Sequence, residues 1–419
     1  MGLKKARLLI AYNPNWKRQS AFGTPMSLSD LTAVMPLENK RWPGTSLTVE
    51  EVRGCSGRHL VKRILLARVM RWALEFKVTT QILAGAVALI YGSAASPTGT
   101  PADEVQTITI DATGGTFTVA FTFEGLTDTT PAIPYNASAA ALQTALENLR
   151  SIKAGNVTVT KLGSVFTITF TGDLAKANVP QLVTDAANLT GGAATATPAT
   201  VTPGVQKLHA VARMTGEQGP AISFVVGFEG HPETYVLYKS VVAADLAVTA
   251  ERRAIVRATL GVRGSAQVEA VPDFVMPVCQ TQDVIRAAQC RAEVDGIFYP
   301  DIVRMAYSSS ANIFDGDDAT PFDGPDVVRL EQGEQWQPTY SLDTYGTNAD
   351  TLFALGKALA EKAVKLHFGP PGNRVSFEAA LAALQLADDE LGFSGQASRS
   401  TIQLQATPLE VSGAAPDAV

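Results

Sequence analysis

Residues 71–92 read RWALEFKVTTQILAGAVALIYG, and this stretch decides the fold class. Met70, Trp72, Leu74, Phe76 and Val78 alternate with Arg71, Glu75 and Lys77. A period of two over this length marks a half-buried strand. Thr79 and Thr80 then supply oxygens that cap a helix, and the next apolar run loses the alternation. Ala84, Val87, Ala88 and Tyr91 would share one stripe of that helix.

The same pattern returns near the other end of the chain. Tyr340, Leu342 and Asp343 stand where Trp72, Leu74 and Glu75 stood, an offset of 268 from 72 to 340. Thr347 and Asn348 take the capping places, and Leu352, Leu355 and Leu359 follow as the apolar stripe. Arg253, Val256 and Ala258 recur as Arg399, Ile402 and Leu404, an offset of 146 from 253 to 399. Between the two anchors the offset falls from 268 to 146, so about 122 residues are inserted in the first copy. Agreement between repeated patterns and a visible insertion makes internal duplication the expectation.

At 419 residues the chain is long enough for two or three domains. Its hydrophobic share of 46% against 18% charged residues is that of a folded globular protein and excludes a disordered chain. With a net charge of −6 and no dense Lys/Arg block, it lacks a grip for nucleic acid. The start, MGLKKARLLIAYNPNW, has too short an apolar run for a secretory signal. Ile82 to Tyr91 is half the length a membrane span needs, so no membrane is expected as a partner. Three cysteines, Cys55, Cys279 and Cys290, cannot all pair within the chain, which suits synthesis in a reducing compartment.

Residues 1–58 are punctuated by Gly, Pro and Ser and read as an extended arm. Residues 59–103 with 204–270 form a first domain. Residues 104–203 form an inserted module between linkers at Ser93–Asp103 and Gly191–Gly204. Within the module TIT and FTVAFTF alternate as strands around Gly114-Gly115. A helix opens at Tyr135-Asn136-Ala137-Ser138, and two more strands follow. Such a unit can fold alone, and paired linkers are how inserted domains join a host. Residues 271–410 hold the second copy after a loop-rich acidic start, and 411–419 are a flexible tail.

No chemistry stands out. His59, His209, His231 and His367 lie in four separate segments without metal spacing, and no nucleophile elbow is present. Asp315, Asp317, Asp318, Asp323 and Asp326 begin like a calcium loop, but Thr320 occupies the place where such a loop needs Gly. Cys279 and Cys290 read as buried thiols. Neither a catalytic centre, a cofactor nor a metal is expected. Charge is uneven: from Glu38 to Lys77 nine Lys/Arg face four Asp/Glu, and from Asp283 to Asp350 thirteen acidic residues face four basic ones. Opposite fields of this kind suit two surfaces that meet.

The Gly/Pro-rich arm with Phe22-Gly23-Thr24-Pro25, the long strand into Thr79-Thr80, the helix Ile82 to Tyr91 and the strands up to Arg263 together resemble the tail tube proteins of tailed bacteriophages. The stretches TGGTFTVAF, IPYNASAAALQTALENL, NVTVT and FTITFTGDLA are similar to a small module that recurs in structural proteins of such phages. The resemblance implies a mainly β fold with α (α+β). Two tail-tube-like antiparallel β-sandwich or barrel units would each carry a flanking helix, with a small inserted α+β domain beside them. It implies a virion protein, made in the bacterial host cytoplasm, whose rings stack around a channel through which DNA passes without specific binding. With two copies per chain, three chains would make a pseudo-sixfold ring that also meets other tail proteins; six chains per ring is the alternative. The expected ring interface places Arg68, Arg71, Trp72 and Leu74 of the first copy against Glu331, Glu334, Tyr340, Leu342 and Asp343 of the second. A tail hub or distal-tail component of the same fold is the nearest rival function, and a surface adhesin or carbohydrate-binding protein is the rival of another class.

Overall fold

The computed structural model describes residues 8–12, 27–35, 42–53, 60–91, 100–206, 221–265, 268–277, 283–299, 302–314, 331–336, 338–344, 351–386 except 353, 356, 357 and 359, 392–393 and 400–408. It is mainly β, in several antiparallel sheets, and the described strands do not close into a barrel. The chain begins with β1 (Leu8–Tyr12), β2 (Ala33–Met35), β3 (Gly44–Arg53), β4 (Leu60–Lys77) and α1 (Thr80–Tyr91). The alternation in β4 has the expected outcome: Met70, Trp72, Leu74 and Phe76 are buried while Arg71, Ala73 and Glu75 are exposed. The Thr79 hydroxyl accepts from the Ile82 N–H at 3.3 Å and caps α1.

Helix α1 differs from its expected single stripe. Ile82, Leu83, Ala86, Val87, Leu89 and Ile90 are all buried, and Ala84 is exposed. A helix that is apolar nearly all round needs cover on several faces, and α1 has strands from both halves of the chain against it. Residues 1–58 also differ from an extended arm, since three of their segments are strands of the main sheet. Runs of three to five residues such as LLIAY and AVM are too short to show a period.

The module follows with β5 (Val105–Asp111), β6 (Gly114–Phe123), β7 (Leu126–Thr129), β8 (Ile133–Pro134), α2 (Ala139–Glu147), β9 (Val157–Leu162), β10 (Val165–Phe170), β11 (Val183–Asp185), β12 (Leu189–Thr190) and β13 (Thr195–Thr202). One sheet runs β13-β5-β10-β9, and β6 pairs β7, β8, β11 and β12. Ser138 caps α2 by accepting from the Ala141 N–H at 3.2 Å. Phe117, Phe121, Phe166, Phe170, Leu142 and Leu146 lie in a core separate from that of the rest of the chain. The expected second linker is in fact mostly β13, because its Thr and Ala residues pair with β5 from Asp111 to Val105.

The two crossings into the module meet at its base. Ala102 and Val205 exchange backbone hydrogen bonds of 3.1 and 2.8 Å. Glu104, fully buried, accepts from the N–H groups of Val179 at 2.9 Å and Gly204 at 3.2 Å and from the Gln106 amide at 2.6 Å. A buried carboxylate is tolerated there because it has these donors.

Beyond the module come β14 (Ile222–Phe228), β15 (His231–Glu251), β16 (Arg257–Ser265), β17 (Val268–Ala270), β18 (Arg291–Val294), β19 (Ile297–Tyr299), β20 (Ile302–Phe314), β21 (Glu331–Trp336), β22 (Thr339–Thr344), β23 (Glu361–Phe368), β24 (Val375–Leu386), β25 (Gly392–Phe393) and β26 (Ser400–Pro408). In the first half β1 pairs β2 and β14, β14 pairs β15, β15 pairs β16, β16 pairs β4 and β4 pairs β3. The second half runs through the same list: β18 pairs β19 and β23, β23 pairs β24, β24 pairs β26, β26 pairs β22 and β22 pairs β20. Helical backbone lies at 351, 352, 354 and 355, between β22 and β23. Helix α1 itself packs against β15 and β24, one strand from each half.

Register corrects one number. Leu260 stands opposite Leu74 and Leu404 opposite Leu342, so the last strands are offset by 144, from 260 to 404, and not by 146. A slip of two residues keeps every side chain on its face, which is why the hydrophobic pattern alone did not exclude it.

Candidate assembly surface and the seam beside it

The residues expected at a ring interface fall into two groups. Trp72, Leu74, Tyr340 and Leu342 are 8%, 2%, 0% and 1% exposed and belong to the chain's own core. Leu74 and Trp72 face Leu260 and Val262 of β16, and β22 is flanked on both sides by β20 and β26. A strand with both edges occupied accepts no third neighbour, so the expected ladder between β4 and β22 is not formed. Arg71 is exposed on β4, opposite Gly44 on one side and Arg263 on the other. Arg68 stands opposite Leu47, and Glu331 opposite Phe314, with Glu334 farther along β21; the side chains of Arg68, Glu331 and Glu334 lie outside the described residues.

The two halves meet instead along β15 and β20. Their register runs from Asp245 opposite Ser310 to Glu251 opposite Arg304. The Arg304 guanidinium lies 3.8 Å from Glu251 of β15 and 3.9 Å from Asp343 of β22. The cation therefore comes from the second half and one of its carboxylates from the first, the reverse of the expected polarity. Both contacts are partly exposed and are worth little individually. Burial raises the Asp245 carboxyl above its ordinary range, opposed by Arg263 and the Gly261 N–H. A Cβ at Gly261 would meet the Asp245 carboxylate at 2.1 Å, so the carboxylate holds its present position over Gly261 only while that residue has no side chain.

A second contact was not legible beforehand. The β6–β7 hairpin of the module ends on Glu124 and Gly125, with φ of 47° and 76°, the left-handed pair of a type I′ turn. The Glu124 side chain, 5% exposed, lies 3.2 Å from Arg291 of β18 and also accepts from Arg374 in the β23–β24 turn. Nearby, the Gln289 amide donates to Asp173 at 2.8 Å, with Arg286 3.8 Å from the same carboxylate. Lys153 lines this seam, and its ammonium is held below the usual lysine range by burial first and by Arg291 second. The available signal was a Glu in a hairpin position that favours Gly, Asn or Asp.

His367, 4% exposed, is buried behind the same seam. Its Nδ1 is 2.7 Å from the Ser376 hydroxyl, its Nε2 is 3.6 Å from Glu293, and its ring stacks on Phe298 at 6.0 Å. Burial lowers its pKa, with Arg374 acting in the same sense and Glu293 and Glu124 in the opposite one. The unfolded chain therefore takes up the proton first as pH falls below about 6.5. The stability tied to neutral His367 is present above that pH and is lost as pH falls through the lower folded value. Melting temperature will fall between pH 7 and pH 5, and His367→Asn will remove part of that slope. An unchanged slope in the variant would count against this origin.

Among the described residues no three His, Cys, Asp or Glu side chains gather as a metal site, and no helix is long and apolar enough to cross a membrane. The 315–326 acidic loop, Cys55, Cys279, His59, His209, Thr347, Asn348, Leu359 and the 411–419 tail lie outside the described residues. Cys290 is buried and its thiol is pushed up to about 12 by desolvation, so it is not nucleophilic at neutral pH. No protein-family model matches the chain, and no curated protein matches it.

Proposed function

We propose that this chain is a structural subunit of a phage tail tube, built from two copies of one tube domain and polymerising as stacked rings around a channel for DNA. The observation that carries the reading is the repeated pairing list together with one sheet that continues from half to half through β15 and β20. A junction that joins unlike edges can be repeated by further copies, and such head-to-tail contacts give rings when the rotation closes. Three chains would then supply six equivalent positions. Long unpaired edges are an aggregation hazard, and ring closure removes them.

Negative-stain imaging and three-dimensional reconstruction of purified protein test this. Stacked hollow rings with three chains each are the expected result; monodisperse monomers would overturn the reading, and six chains per ring would overturn the duplication. A hub component of the same fold would give single rings that do not stack.

The module's separate core and paired base suit a position on the outside of the tube, where a channel wall does not constrain it. Deleting Glu104 to Pro203 with a short Gly/Ser join will therefore leave ring formation intact. Loss of rings from a still-folded deletion variant would place the module in the wall.

A further inference from the structure

We infer that the outer edge of β3 in one chain pairs antiparallel with the end of β24 in the next copy, Ser46 opposite Gln385 and Thr45 opposite Leu386. This rests on the ring-subunit reading above and gives it a particular junction. Strand β15 shows how such a junction is made. One of its edges carries β16 and β17. The other is shared: β14 covers it as far as Val241, and β20 covers it from Asp245 to Glu251.

Strand β24 is the counterpart of β15, with β26 on one edge and β23 on the other as far as Ala383. The Leu384 N–H still reaches the Ala360 carbonyl at 3.0 Å. From Gln385 onward no strand among the described residues continues that edge, at the place where β20 joins β15. The counterpart of β20 is β3, whose inner edge is paired to β4 along its length. Its outer edge carries no strand among the described residues. Each open edge is thus the half of a junction whose other half lies at the far end of the same chain.

The register follows from positions already paired. Leu246 and Leu386 face Leu260 and Leu404, which sets an offset of 140 from β15 to β24. Ser308 faces Thr339 and Gly44 faces Arg71, which sets an offset of 264 from β3 to β20. Applied to Asp245–Ser310 and Leu246–Ser309, these give Gln385–Ser46 and Leu386–Thr45.

Within one chain these two edges do not meet, because the described strands do not close into a barrel. Between β3 and β24 the sheet holds β4, β16, β15, β20, β22 and β26. At ~4.8 Å per step the two edges are on the order of 30 Å apart along it. The occupant of each edge is therefore a second copy of this chain.

Cysteines at directly opposed antiparallel positions are within disulfide reach, and positions two residues off are not. The test is Ser46→Cys with Gln385→Cys in the full chain, with Cys55→Ser and Cys279→Ser to remove other thiols; Cys290 is buried and stays. Mild oxidation will give a ladder on a non-reducing denaturing gel that ends at three chains. The pair Thr48→Cys with Gln385→Cys, two positions off register, will give at least tenfold less product. Rings seen by negative stain without the Ser46–Gln385 cross-link would overturn the junction while leaving the subunit reading in place. Equal cross-linking of both pairs would overturn the register. Monomers without cross-link would overturn both.

Discussion

Phe377→Ala will destabilise the second half of the chain by about 3–5 kcal/mol, the range for emptying a buried aromatic site. Phe377 is fully buried and stacks on Tyr307 with ring centroids 3.8 Å apart and planes 18° from parallel. Phe368 meets it edge-on at 5.7 Å, and Tyr307 meets Tyr340 edge-on at 5.3 Å. These four rings come from β24, β20, β23 and β22, so the cluster ties the half-to-half junction strand to the layer behind it. In the first half Trp72, Phe224 and Tyr238 form a looser aromatic row, with successive centroids 6.1 and 5.7 Å apart. Urea unfolding should show the loss in the midpoint of the transition, with Phe377→Leu retaining most of the stability. A loss under about 1 kcal/mol would mean that neighbours collapse into the space, contrary to the close packing seen here.

The legible part of the fold was the part with local period. Met70 to Val78 alternate over enough residues to commit to a strand, and the module showed itself by strand alternation, a capped helix and flanking small-residue stretches. The arm was misread for a physical reason. Strand β1 is apolar on both faces, and its partner β14 lies more than 200 positions away, so neither period nor proximity marks it. The burial of α1 on several faces likewise depends on β24, which no local pattern reports. The charge imbalance was real, but the carriers were misassigned. Arg304 bridges Glu251 and Asp343, while Arg71 is exposed on β4 between Gly44 and Arg263. Charge counts over windows of 40 and 68 residues cannot identify which side chains face one another, because register decides that.

Glu124→Ala will release the inserted module from the second half while leaving the module folded. The carboxylate is nearly buried between two guanidinium groups, Arg291 and Arg374, that are themselves about four-fifths buried. Removing one partner of a buried ion pair leaves the others charged and poorly solvated, and the usual cost is about 3–5 kcal/mol. The module's core lies elsewhere, in Phe117, Phe166 and their neighbours, and its neck is held by Glu104 rather than Glu124. The cost therefore falls on docking. Gly125 helps set that docking, since a Cβ there would meet the Phe298 carbonyl at 2.9 Å, and the Gln289–Asp173 contact remains as a weaker hold. Calorimetry should resolve a separate module transition in the variant where the native protein shows it merged, and limited proteolysis should cut faster at the neck. Arg291→Ala on the Glu124→Ala background will cost much less than Arg291→Ala alone, because the uncompensated charge is already gone. An unchanged melting profile and cleavage rate would show that the seam is a passive contact, and the positive-φ glutamate at the hairpin tip would then have no role in placing the module.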